Sequence, residues 1–370
     1  MSQTPGTVLV TVRARTDLGK TRDHNEDAFL VADLTARSTD ITSGESHAVG
    51  ERGTLFLVAD GMGGAAAGEL ASSMAADLIF RHLIELWNAE TDLSADRFAQ
   101  HLRAAVERAN ERIHLYSKEH PDVRGMGTTV TVAGVLHRSL YLAQVGDSRG
   151  YLVRDGVATQ LTKDQSLMQR LVDAGELTEE EAELSERRNI ILQALGPDAR
   201  IRVDLTWQDL RRGDTLVICS DGLSGQVKRE EIGQLVREMP DLDALCTRLI
   251  TMANERGGPD NITVVAVRFD GAGLPAPEKS DEEVGYHAFP SDQIDSEEIP
   301  VLRIPARALE PEVISIPSIP SMPTVPTVPP PAEAPPPSVP SRRSGSPATI
   351  AAVGGGILLI LLVLYFLLKP

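Results

Sequence analysis

Strand-like apolar runs in the first 270 residues begin or end on acidic turns, and this pairing restricts the fold more than any other feature of the chain. The turns are Arg22-x-x-x-Glu26-Asp27, Asp60-Gly61-Met62-Gly63-Gly64, Ser220-Asp221-Gly222 and Pro259-Asp260-Asn261. Three of them close or open a strand-like run, so packed sheets would gather them at one edge. That is how a site for hard metal ions is built.

Hydrophobic periodicity predicts strands over 8–15, 27–32 and 54–59, then long helices over 68–87 and 95–118. Strands over 128–136, 140–144 and 149–154 follow, the last pair joined through Gly146-Asp147-Ser148. Residues 164–174 read as a helix, and 176–188 as a charged, poorly patterned insertion. Strands over 201–206 and 215–219, helices over 230–238 and 242–255, and a closing strand over 262–269 complete the region. Strands in runs, alternating with helices in runs, imply an α+β fold with mostly antiparallel sheets.

Beyond residue 270 the pattern ends. Most of the 24 prolines lie there, and Pro317, Pro320, Pro323, Pro326 and Pro329 recur at the turn length of a polyproline II helix. Residues 271–347 therefore read as an acidic, then Pro-rich linker, whose part over 305–347 could span on the order of 100 Å if extended at about 3.1 Å per residue. Residues 348–368 carry no charge and are long enough to cross a hydrocarbon core of about 30 Å as a transmembrane helix. Arg342 and Arg343 before it favour a cytoplasmic N-terminal domain on a single-pass, C-terminal anchor in the cell membrane. Residues 1–15 have no secretory-signal pattern. Cys219 and Cys246 sit in apolar or helical runs, which suits a reducing compartment and no disulfide framework. A net charge of −17, much of it in the linker, argues against a nucleic-acid partner.

Asp60, Asp221 and Asp260, if their loops converge, would raise one another's pKa values and destabilise the fold unless cations neutralise them. Mg²⁺ or Mn²⁺ takes oxygen ligands and keeps several waters, so a few carboxylates and a carbonyl suffice. Asp followed by Gly lets the Gly61 carbonyl approach the same ion. Two such ions activate a water and clamp a phosphoryl group. Arg22 could fork two phosphate oxygens, and Glu26 could orient water held by a metal.

Taken together, residues 22–27, 58–64, Gly127-Thr128-Thr129, 145–149, Cys219-Ser220-Asp221-Gly222 and 259–263 resemble the bacterial branch of the 2C-type, metal-dependent (PPM) serine/threonine protein phosphatases. The resemblance covers about Val8 to Phe269 and implies a four-layer αββα sandwich over residues 8–270. It implies that Asp60 bridges two Mn²⁺ or Mg²⁺ ions, that Asp221 and Asp260 complete one, and that the Gly61 carbonyl binds the other while Glu26 and Asp27 hold its waters. Asp147, with Asp221, matches a third, weaker site. Arg22, Glu26 and Asp60 are the implied catalytic residues, and residues 163–188 correspond to a variable flap beside the site. Some relatives carry a His, proposed as general acid, where this chain has Met62.

The expected activity is hydrolysis of phosphoserine and phosphothreonine on proteins by direct attack of a metal-bridging water. The alternatives are a pseudophosphatase or a phosphoprotein-binding scaffold on a membrane stalk. A membrane tether would raise the effective concentration of the enzyme toward substrates on the same bilayer. Serine/threonine kinases and their substrates are thus the expected signalling partners.

Overall fold

A computed structural model of the chain describes residues 6–290, apart from 40, 42–43, 186 and 278–282. β1 (Leu9–Asp17) pairs along its whole length with β12 (Ile262–Asp270), Leu9 opposite Asp270 and Asp17 opposite Ile262. β3 (Ser46–Ala48) flanks β1, and β11 (Thr215–Cys219), β8 (Arg149–Arg154) and β9 (Val157–Gln160) extend the other side, giving the order β3-β1-β12-β11-β8-β9. A second sheet runs β10 (Asp204–Asp209), β7 (Ser139–Val145), β6 (Val130–Leu136), β4 (Thr54–Met62) and β2 (Asp27–Asp33). Short β5 (Gly127–Thr128) pairs with the last two residues of β4. All of these pairings are antiparallel.

The sheets face one another across a core that includes Val10, Val12, Phe56, Val58, Leu142, Leu216, Ile218 and Val267. Their outer faces are also covered. α1 (Ala65–Ala89) and α2 (Ala95–Glu119) bury Ile79, Leu83, Trp87, Phe98 and Leu102 against Leu55, Leu57 and Ala59 of the second sheet. α6 (Arg229–Glu238) and α7 (Leu242–Glu255) bury Ile232, Leu245 and Leu249 against Val217, Val264 and Ala266 of the first. The result is helix, sheet, sheet, helix. Successive residues of β4 feed alternate cores, so this antiparallel strand reads as a continuous apolar run and not as an alternation.

Three features differ from the sequence reading. β10 lies three residues later than the strand expected over 201–206, because Ile201 and Val203 are apolar to cover the helix-side core without joining the ladder. The stretch read as an unpatterned insertion contains α4 (Glu179–Leu184), started by a Thr178/Glu181 capping box, and follows α3 (Leu167–Asp173). Residues 283–290, read as linker, lie along the edge of β10: Trp207 N donates to His287 O at 3.0 Å, Phe289 N donates to Leu205 O at 2.9 Å, and Phe289 is buried.

The Pro-rich segment and the span expected over 348–368 lie outside the described residues. Among the described residues no helix is long and apolar enough to cross a membrane.

Candidate metal centre

The β2–β4 register places Asp27 directly opposite Asp60, which puts both carboxylates on one face. Asp221 opens the short helix α5 (Asp221–Ser224) just after β11, and Asp260 stands just before β12, the strand that pairs with β11. The two sheets are stitched together here: Ser220 Oγ donates to Asp27 Oδ2 at 2.8 Å and accepts from Thr263 N at 3.0 Å.

Asn261 organises the loop before β2. Its Oδ1 accepts from Glu26 N at 2.8 Å, and its Nδ2 donates to the carbonyls of Leu18 and His24, each at 2.9 Å. Asn25 donates to Thr16 Oγ1 at 2.8 Å, and Thr16 in turn meets Thr263 at 2.7 Å. Gly61 N donates to Glu26 O at 3.1 Å, which fixes the turn after Asp60. A Cβ on Gly61 would lie 2.5 Å from that Glu26 oxygen, and a Cβ on Gly68 would lie 2.4 Å from Glu26 Oε2. Only glycines let the start of α1 close over the Glu26 side chain.

Asp147 sits on the β7–β8 turn and is buried. The turn is pinned by Thr131 Oγ1, which donates to Ser148 O at 2.6 Å, and by Gln165, whose Oε1 accepts from Gly146 N at 2.9 Å. Gln165 also leads into α3, so the root of the flap is anchored to the Asp147 turn. Arg149 forms a two-point pair with Asp164, Nη2 to Oδ2 at 2.6 Å and Nε to Oδ1 at 3.0 Å.

These carboxylates resist ionisation in this setting. Burial pushes Asp27 up to about 7, with Asp221 and Asp260 adding to the effect against hydrogen bonds from Thr263 and Ser220. Burial, then Asp221 and Asp164, push Asp147 up to about 8, with Arg149 opposing. Asp60 is raised well above the usual range by burial and by Asp27, Asp221 and Asp147. Asp221 is raised by burial and by Asp260, and Glu26 by burial against the pull of Arg22.

Three buried carboxylate oxygens, Asp27 Oδ1, Asp147 Oδ1 and Asp221 Oδ1, have no hydrogen-bond partner. Among the described residues no group of three or more His, Cys, Asp or Glu side chains is placed to hold a metal ion by itself. Hydrated Mg²⁺ or Mn²⁺ needs no such group, because it is commonly held through one or two carboxylates and its own waters. Orphaned anionic oxygens with suppressed ionisation fit such ions, since a divalent charge removes both penalties.

Arg22 stands at the rim, half-exposed, and its Nη2 donates to Asp260 Oδ2 at 2.7 Å. Among the described residues its other donors make no hydrogen bond to the protein. Met62 pairs with Gly127 at the end of the β4–β5 ladder, and the His24 side chain is exposed beside Glu26. Sequence reasoning named Asn261 and Ser220 without seeing what they hold, and gave Gly68 no role beyond the start of a helix. The Asp-Asn dipeptide was the available signal for Asn261, since an Asn that follows a candidate ligand can tie its loop.

A sandwich of two antiparallel sheets between helix pairs, with carboxylates gathered where the sheets join, defines a class of metal-dependent phosphatase. The family model described as "Protein phosphatase 2C" matches residues 39–263, and the chain belongs to that family as a serine/threonine protein phosphatase. It is 37% identical over 257 residues to the serine/threonine phosphatase stp of Listeria monocytogenes, covering 69% of this chain and 94% of that one. It is 38% identical to PstP of Mycobacterium tuberculosis over 70% of this chain but only 45% of that longer protein. The crystal structure of M. tuberculosis PstP superimposes with a TM-score of 0.59 at 37% identity, covering 71% of this chain and 99% of that one. A structure of the PstP catalytic domain in complex with two manganese ions gives a TM-score of 0.57 at 36% identity, covering 71% and 100%.

Proposed function

We propose that the chain hydrolyses phosphoserine and phosphothreonine on proteins at this acidic edge, using two Mn²⁺ or Mg²⁺ ions, with a weaker third at Asp147 and Asp221. The observation that carries the reading is the set of orphaned buried oxygens on Asp27, Asp147 and Asp221 around Asp60. Asp60 would serve both ions, Asp221 and Asp260 one of them, and the Gly61 carbonyl with Glu26 and Asp27 the other. When bound, such ions supply an activated water and neutralise phosphoryl charge.

The chain's own groups provide position and selectivity. Arg22 binds the phosphate dianion through the donors that Asp260 leaves free, and Asn261 fixes the loop that carries Arg22 and Glu26. Water attacks phosphorus in line and the serine or threonine alkoxide departs, without a phospho-enzyme. The Met62 thioether has no proton to give, so the leaving oxygen is protonated from solvent or from the flap. Residues 348–368 support a single-pass membrane anchor that holds the catalytic domain on the cytoplasmic face, near kinases and their substrates. Release of the protein into the soluble fraction only after deletion of 348–368 would support the anchor.

The test of the reaction is phosphate release from a phosphothreonine peptide with Mn²⁺ titrated in and EDTA as control. Metal-dependent turnover, lost in Asp60→Asn, is expected. Tight metal binding without turnover would move the reading to a pseudophosphatase or phosphoprotein-binding scaffold.

A further inference from the structure

The first sheet has a second pole of opposite charge. The ends of β8, β11 and β12 that border the acidic cluster are Arg149, Cys219 and Ile262; their far ends are Arg154, Thr215 and Asp270. A cavity of 520 Å³ opens at that far pole, beneath α6, and Arg211, Arg212, Arg237 and Arg268 all line it. At about 3.3 Å per residue, the length of β11 separates it from the catalytic edge by roughly 15 Å.

The carboxylates in its wall are engaged. Asp214 accepts from Arg154 Nε at 3.0 Å and Nη2 at 2.8 Å, and from the backbone N of Arg211 at 2.8 Å. Asp155 accepts from Arg211 Nη2 at 3.0 Å. The donors are not all satisfied: Arg211 Nε and Thr215 Oγ1 are buried without a partner. Arg211 is 8% exposed and Thr215 1%, so water does not replace that partner freely. Arg268 is half-buried and donates to the Pro240 carbonyl, and among the described residues no carboxylate pairs with Arg268, Arg212 or Arg237 within salt-bridge distance.

We infer that this cavity is a second anion site, which binds a phosphoryl group, either as inorganic phosphate or carried on a phosphorylated protein side chain. Planar guanidinium forks match the oxygens of a phosphate dianion, and the exposed side chains of Arg212 and Arg237 present theirs at the cavity wall. Clustered cations facing carboxylates already in use repel one another until an anion enters. The volume exceeds what phosphate alone fills and lies in the range of small-ligand pockets, which leaves room for the residue that carries the phosphoryl group. The site does not depend on the catalytic reading.

The test titrates the full-length chain carrying Arg22→Ala, in EDTA, with inorganic phosphate by calorimetry, so that the catalytic edge contributes no phosphate binding. One binding event should persist and weaken about tenfold or more when Arg212→Ser and Arg237→Ser are added. Both side chains are exposed, so the fold and, with Arg22 restored and Mn²⁺ present, hydrolysis of p-nitrophenyl phosphate should be unchanged. A phosphothreonine peptide that binds more tightly than free phosphate, with the same sensitivity to the arginine changes, assigns a protein-borne ligand. Equal affinity assigns the free anion. Absence of binding in the Arg22→Ala chain, or binding indifferent to Arg212→Ser and Arg237→Ser, overturns the inference.

Discussion

Asp147→Asn should stabilise the metal-free protein at pH 8, and by markedly more than at pH 5. The carboxyl is buried, its Oδ1 has no partner, and its surroundings push its pKa from 3.8 up to about 8. Between those values the folded chain holds a proton that the unfolded chain has released. Stability present at low pH is therefore lost at about 1.4 kcal/mol per unit as pH rises from the unfolded value toward the folded one. From pH 5 to pH 8 that amounts to about 4 kcal/mol, and water entry and relaxation around the site reduce it to roughly 2. An amide of the same shape has no proton to lose, so the variant escapes this loss. Urea unfolding of the full-length chain in EDTA at pH 5, 6, 7 and 8, followed by the fluorescence of Trp87 and Trp207, measures the difference directly. The gap between variant and parent should widen by about 2–4 kcal/mol across that range. Saturating Mn²⁺ should close it, because the ion stabilises the ionised parent and has less to hold in the variant. Parallel pH curves in EDTA would refute the reasoning, since they would mean that Asp147 ionises as readily in the folded chain as in the unfolded one.

The remaining expectations concern the catalytic edge and the end of the folded unit. Arg22→Ala should raise KM by about tenfold or more with a smaller change in kcat, because it removes phosphate binding; steady-state kinetics showing a fall in kcat alone would show that Arg22 acts on the reaction itself. Gly68→Ala places a methyl 2.4 Å from Glu26 Oε2, so kcat should fall about 10–100-fold, a decrease that initial rates at saturating Mn²⁺ would detect. Phe289→Ala should cost roughly 3 kcal/mol in urea unfolding, because Phe289 is buried with its ring 5.9 Å from that of Tyr141. No loss would mean that 283–290 contribute nothing to the domain.

The elements that could be read from the sequence were those whose burial leaves a simple pattern. α7 and β11 have the bounds expected, and the β7–β8 turn falls where Gly146-Asp147-Ser148 put it. β3 and β9, three and four residues long, are specified by the partners they pair with and carry little local signal. Residues 283–290 are few, carry no strand-length alternation and follow an acidic, Pro-containing stretch, so little that is local announces that Ala288 bridges Thr206. Tertiary pairing decides there, and it is invisible to a window of neighbouring residues.

Acidic candidates stood out at the site because ligand chemistry leaves Asp and Glu in turns. What aims them was less legible, because it lies in distances: Gly61 was read for its carbonyl, but not for the room it leaves Glu26. Gly61 and Gly68 are small since Glu26 passes between them, and Asn261 is an amide since it must accept from Glu26 N while donating to two carbonyls; an Asp there could not donate. The same geometry accounts for the location of the cluster. Asp27, Asp147 and Asp221 each carry a desolvation penalty, and the covered interior of the sandwich would make it larger. Only where the two sheets meet at an edge, tied together by Ser220 and Thr263, can that many carboxylates be held rigidly and still be reached by hydrated ions.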